Sequence, residues 1–122
     1  MKEGEAREAF AKARVARLAT LTPDGAPHIV PICFAVDGDV IYSAIDHKPK
    51  RTTHPQRLRN INCDARVAVL ADHYDDHWEN LWWIRADGHA RVDRQHHEDH
   101  AVLVRRRGKS ERLVGRGQSY EL

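Results

Sequence analysis

Several shortages in this 122-residue chain each exclude a class of function. No apolar run approaches the ~18 residues that a membrane-crossing helix needs. Only two cysteines occur, Cys33 and Cys63, and they lie too far apart to form a zinc pattern or a redox pair. The compartment expected from this is a reducing cytoplasm, with both thiols acting as small apolar side chains. Charge of one sign is not in excess: 20 basic residues face 18 acidic ones, a net of +2. A dedicated nucleic-acid binder wants a clear basic surplus for phosphate contacts, so no nucleic-acid partner is expected. There is no Gly-x-Gly-x-x-Gly or Walker loop. There is also no Gly-x-Ser-x-Gly elbow to activate Ser43, Ser110 or Ser119 as a nucleophile. The amino end, Met1 to Arg7, lacks the apolar stretch of a signal peptide. Aromatic residues make up only 7% of the chain, yet Trp78, Trp82 and Trp83 crowd into six positions.

What is present fits one domain with one core. Ala6, Ala9, Phe10 and Ala13 recur at helical spacing among good helix formers, which predicts an amphipathic helix over 1–13. A strand is expected over Arg14–Thr22, then a reversal at Thr22-Pro-Asp-Gly-Ala-Pro27. His28–Val36 reads as a second strand. Pro31 cannot donate to a ladder, so that strand is an edge, a bulge, or a place where backbone faces a ligand. Asp37-Gly38 signals a hairpin into a third strand, Asp39–Ile45. A basic loop, Asp46–Thr53, leads to a short helix over His54–Cys63, with Thr53 as N-cap and Pro55 in its first turn. Ala65–Ala71 alternates as a fourth strand. Leu81–Val92 makes a fifth, with a bulge expected at Gly88. Gln95–Arg106 carries acids early and arginines late, which suits a helix. The basic tail over 107–122 is expected to fray. Strands joined mainly by hairpins, with short flanking helices, predict a mainly β domain built as a small antiparallel barrel, with strands and basic loop over 14–92.

Three groups of residues carry candidate chemistry. Lys48, Lys50 and Arg51 stand just before a helix start, where free backbone amides and the positive dipole end suit a phosphate. Ser43 adds a hydroxyl nearby; the alternative is an ordinary solvated loop. Trp82 and Trp83 are neighbours in a strand and so point to opposite faces: one fills the barrel, the other meets a partner chain or a flat aromatic ligand. Two acid–histidine clusters, Asp72 to His77 and His96 to His100, contain i, i+4 histidine pairs. They match no strict ligand motif, and no metal is expected.

Taken in order, these motifs resemble a known family. Val15-Ala-Arg-Leu-Ala-Thr-Leu21, Pro23-Asp-Gly-Ala-Pro-His28 and Val30-Pro-Ile-Cys-Phe34 are similar to the opening strands of pyridoxamine 5'-phosphate oxidase-like split β-barrel proteins. Asp46-His-Lys-Pro-Lys-Arg51 with Leu58-Arg-Asn-Ile61 resembles their phosphate loop and helix. Asp72 to Trp78 and Leu81-Trp-Trp-Ile-Arg85, closing on Gly88 to Val92, resemble the actinobacterial subgroup classed as dependent on the deazaflavin coenzyme F-420. The resemblance implies a cytoplasmic homodimer with cofactor sites at its interface. It places the cofactor phosphate on Lys48, Lys50 and Arg51. The ring would lie against the backbone of Val30, Pro31 and Ile32 and the strand end at Ser43, Ala44 and Ile45, with Trp83 reaching into the partner's site. The implied reaction is hydride transfer between reduced F-420 and a small electron-poor molecule such as an enone, quinone or tetrapyrrole. Any proton would come from water, His28 or Tyr74. FMN is the alternative cofactor, and a non-enzymatic cofactor carrier or heme-handling paralogue the third reading. Relatives using FMN carry an Arg and a Lys on the second strand. Here that strand reads His28-Ile-Val-Pro-Ile-Cys33, away from a true pyridoxamine phosphate oxidase. Beyond Arg105 only Leu113-Val114 offers a closing strand.

Overall fold

The computed structural model describes residues 3–45, 56–94, 100–106, 112–115 and 118–121. Helix α1 (Glu3–Lys12) opens the chain and buries Ala6 and Phe10, one turn apart, with Ala9 and Ala13 packed beside them. Strand β1 (Ala16–Leu21) alternates, sending Ala16, Leu18 and Thr20 into the core. The turn after it closes through Gly25 N–H to Thr22 O (2.8 Å) and Thr22 N–H to Ala26 O (2.8 Å), with Gly25 at φ +86°. The Thr22 side chain locks it further, accepting from Ala26 N–H (2.9 Å) and bonding to Asp24.

The second predicted strand is in fact two, β2 (Pro27–Ile32) and β3 (Ala35–Asp37). They break at Cys33-Phe34, where the Phe34 ring turns to meet Phe10 of α1 at 5.2 Å between centroids. Packing of a large aromatic on the helix outweighs continued extension. A two-residue turn, Gly38-Asp39, then joins β3 to β4 (Val40–Ile45), since Asp37 pairs with Val40. Gly38 sits at φ +59° with open space where a Cβ would stand, so its constraint is backbone alone. Gly38→Ala is expected to cost about 1–2 kcal/mol, and Gly38→Asn less, as left-handed backbone strain. Thermal unfolding of the two variants checks this.

Helix α2 (Gln56–Cys63) packs on β1 and on β6 (Trp82–Arg94), burying Leu58, Asn60 and Ile61. It passes directly into β5 (Arg66–His73). At the junction Asp64 accepts from Arg66 Nε (3.0 Å), the second guanidinium nitrogen (2.7 Å) and the Arg66 backbone N–H (3.1 Å). These bonds, the side-chain ones first, hold its carboxyl at about 2 instead of 3.8. A depressed folded-state value contributes stability above the unfolded carboxyl range and loses it as pH falls toward about 2. Melting curves between pH 5 and 2 should therefore fall less steeply for Asp64→Asn than for the native chain.

The remaining strands are β7 (His100–Arg106), β8 (Arg112–Gly115) and β9 (Gln118–Glu121). All pairings are antiparallel, in one nine-stranded sheet of order β2-β1-β5-β6-β7-β4-β3, with β8 added on β6 and β9 on β8. Three expectations fail here. The helix expected over Gln95–Arg106 gives way to strand β7 in its described part, 100–106, because the valine-rich run Ala101-Val-Leu-Val104 is paired on both sides, by β4 and by β6. The tail is not wholly frayed, since β8 sets Leu113 and Val114 opposite Ile84 and Trp83. Nor does Gly88 bulge: it stays in register with Val67 on one side and Arg106 on the other. The core joins the inward residues of β1, β5 and β6 to Ile32, Ile41, Leu58 and Ile61.

Candidate functional site

Two places on this frame carry unspent chemistry: the first turn of α2, and the face of the sheet turned away from the core. At the first, Arg57 is the second residue of α2, and no acidic residue stands in that turn. A cation there opposes the helix dipole unless an anion joins it. Its Nε is buried without a hydrogen-bond partner, and burial pushes the guanidinium below its ordinary value. Arg57 is thus partly desolvated and, among the described residues, has no ion-pair partner, which is costly for a charged group. Sequence reading passed over it in favour of the loop lysines. The signal was available, as an arginine where helices ordinarily carry Asp or Glu. Nearby, Asn60 Nδ2 donates to Thr20 Oγ1 (3.0 Å), and His28, opposite Thr20 in the register, has a buried Nδ1 without a partner.

The second place follows from alternation. Arg17, Ala19, Ile29, Ala68, Leu70, Asp72, Trp83 and Arg85 point outward and, with Tyr74, line an open depression of about 440 Å³. Ile29 is 64% and Tyr74 76% exposed, a large apolar surface to leave wet. Its rim is charged but self-neutralised: Arg17 pairs with Asp72 (2.9 Å) and Arg85 Nε with Asp87 (3.1 Å). The two strand tryptophans divide as alternation predicts. Trp82 packs on the core and stacks on His73 at 6.2 Å, while Trp83 lines the outer depression.

The loop beside this face is organised by Asp75, whose carboxylate accepts from His77 N–H (2.7 Å) and Asn80 Nδ2 (3.2 Å) and lies 3.5 Å from His73 Nε2. Those bonds lower its carboxyl, the His77 N–H most. His77 faces Glu79 at 3.8 Å. The first acid–histidine cluster is therefore spread over an ion pair, a ring stack and a loop hub.

The other predicted site residues fall as follows. Val30 is half-buried and Ile32 buried on the inner side of β2, while Pro31 is exposed on the outer side. Among the described residues β2 pairs with β1 alone, leaving its other edge open, and Pro27 and Pro31 bring no N–H to it. Ser43 is buried on β4. Ala44 and Ile45 pair with Ala101 and His100 of β7. Lys48, Lys50, Arg51, Thr53 and Pro55 lie outside the described residues, as do His96 and His97. The structure thus sets Trp83 and Pro31 on the outer face and Ser43 and Ile32 on the inner one.

A protein-family profile described as pyridoxamine 5'-phosphate oxidase matches residues 3–116, nearly the whole chain. The chain belongs to the pyridoxamine 5'-phosphate oxidase family. Solved structures agree on a split β-barrel. A conserved hypothetical protein of Mycobacterium tuberculosis superposes with a TM-score of 0.72 at 21% identity, covering 88% of this chain and 81% of that one. An F-420 reductase gives 0.61 at 21% identity, over 83% of this chain and 93% of its own. A heme storage protein of Vibrio cholerae gives 0.66 at 13% identity, over 86% and 89%. At these identities the likeness is one of fold. No curated protein matches the chain. Oxidoreductases and heme-binding proteins thus share this family's barrel, and among the described residues no helix is long and apolar enough to cross a membrane.

Proposed function

We propose that this family member is a coenzyme F-420-dependent oxidoreductase, acting on a small electron-poor organic substrate as a cytoplasmic homodimer. The observation that carries the reading is Arg57, half-buried at the mouth of a helix whose first turn holds no acid, with its Nε buried without a partner. The ten residues before this helix in sequence include Lys48, Lys50 and Arg51. Arg57 at a helix amino end whose first turn holds no acid, with three more cations close before it in sequence, suits a phosphodiester or phosphate. The buried, unpartnered Arg57 nitrogen supports an anionic ligand at this helix end.

Bound there, a deazaflavin supplies a hydride donor, and the chain's tasks are binding, orientation and exclusion of water. Arg57 and the loop cations hold the phosphate. The proline-bearing open edge of β2 leaves room for a ring against backbone. The outward apolar face, with Trp83 and Tyr74, is the surface we assign to the second protomer, whose site Trp83 then helps to wall. A fold neighbour that is an F-420 reductase supports the choice of ring.

Titration of the purified protein with oxidised F-420, and separately with FMN, tests this through tryptophan fluorescence. Quenching is expected at micromolar F-420. Quenching by FMN alone would replace the reading with a flavoprotein. Quenching by neither would end it.

A further inference from the structure

We propose that Asn60 is a positioning residue for the anion site: its hydrogen bond to Thr20 sets the rotation of α2 and thereby the place of the Arg57 guanidinium. This rests on the reading of Arg57 as a phosphate ligand. Asn60 is 0% exposed, between the buried aliphatic residues Leu58 and Ile61. Its Nδ2 donates to Thr20 Oγ1 on β1 at 3.0 Å, and its Oδ1 accepts from Gln56 Nε2 at 2.7 Å. Gln56 Oε1 in turn accepts from an Arg59 guanidinium nitrogen at 2.6 Å. One polar chain therefore runs from the core strand to the surface of the helix.

For stability alone this amide is a poor choice. A buried hydrogen bond adds little net free energy, and apolar residues of like size at both positions 20 and 60 would often serve as well. Apolar packing, however, has no direction. A helix held only by Leu58 and Ile61 can turn slightly at little cost. Arg57 lies three residues before Asn60, on the same face one turn nearer the amino end. At a side-chain radius of about 5–6 Å, a 20° rotation moves such a group about 2 Å. That exceeds the tolerance of a hydrogen bond. The Asn60–Thr20 bond removes this freedom. The unpartnered His28 Nδ1, opposite Thr20, belongs to the same polar island.

Asn60→Leu and Thr20→Val each delete the bond, and Thr20→Ser keeps it. Dissociation constants are measured for F-420 and for its phosphate-free deazaflavin core, or for FMN and riboflavin if FMN is the ring bound. Circular dichroism and melting confirm the fold. The expected result is a loss of about tenfold or more for the phosphate-bearing ring in both deletions. The phosphate-free ring should be unaffected, and Thr20→Ser should behave as the native chain. Equal losses for both rings would reduce Asn60 to a structural support and overturn the proposal, as would no loss for either. If Asn60→Leu does not fold, Thr20→Val against Thr20→Ser decides. A native chain that holds the two rings equally well refutes the phosphate role of Arg57 itself, before any variant is made, and the role of Asn60 falls with it.

Discussion

Replacing Arg57 with methionine is expected to weaken binding of the phosphate-bearing cofactor by about 10- to 100-fold and to leave the fold as stable as before. Hydrogen bonds to charged groups contribute about 1.5–3 kcal/mol, and each 1.4 kcal/mol is a factor of ten in affinity. In the free protein the Arg57 Nε is buried without a partner, so that nitrogen is desolvated with nothing in return. Methionine keeps the packing of the aliphatic stem and removes that burden. Affinity and stability should therefore move independently, as for a group retained for a ligand. Equilibrium titration and thermal unfolding of the one variant give both numbers. Undiminished binding would take Arg57 out of the site; a large fall in melting temperature would make it a structural residue.

Leu70→Arg should convert the homodimer we assign to this protein into a monomer. Leu70 lies on the outward face with Arg17 opposite it on β1 and Arg85 opposite it on β6. Asp72 and Asp87 are already engaged by those two arginines. A third guanidinium in that row would find no acid, and a second protomer could cover it only by burying an unpaired cation. Such a burial costs several kcal/mol, more than a thousandfold in dimer affinity. Within one protomer the cost is small, because the position is not fully buried and cross-strand like charges cost only about 0.2–1 kcal/mol. Leu70→Glu is the contrasting variant, since its carboxylate would lie between two arginines. Light scattering at micromolar protein reads the outcome. A Leu70→Arg chain with the native mass, or a native chain that is already monomeric, removes this face as the interface.

The family was legible because its motifs are local and ordered: a Pro-Asp-Gly turn, a hairpin glycine, a basic loop before a helix, and a tryptophan pair in a strand. The candidate site was legible only in part. The loop cations announce a phosphate by composition. Arg57 shows in the sequence only as an arginine in the first turn of a helix; that its Nε is buried without a partner follows from the packing. Asn60 was equally silent: a polar residue in a short helix reads as solvent-facing until Thr20, 40 positions away in sequence, is seen to face it.

The sequence by itself determined the turns at Gly25 and Gly38, the alternation of β1 and β5, and the opposed faces of Trp82 and Trp83. Each depends on backbone sterics or on the two-residue period of a strand, which act between neighbours. Tertiary structure alone decided that 100–106 is a strand, that β2 ends at Ile32, and that the Arg57 Nε is buried without a partner. These rest on enclosure by β4 and β6, on a ring contact between Phe34 and Phe10, and on the packing of α2. Contacts between distant segments set those outcomes, and their free energies exceed the local preferences that a sequence displays.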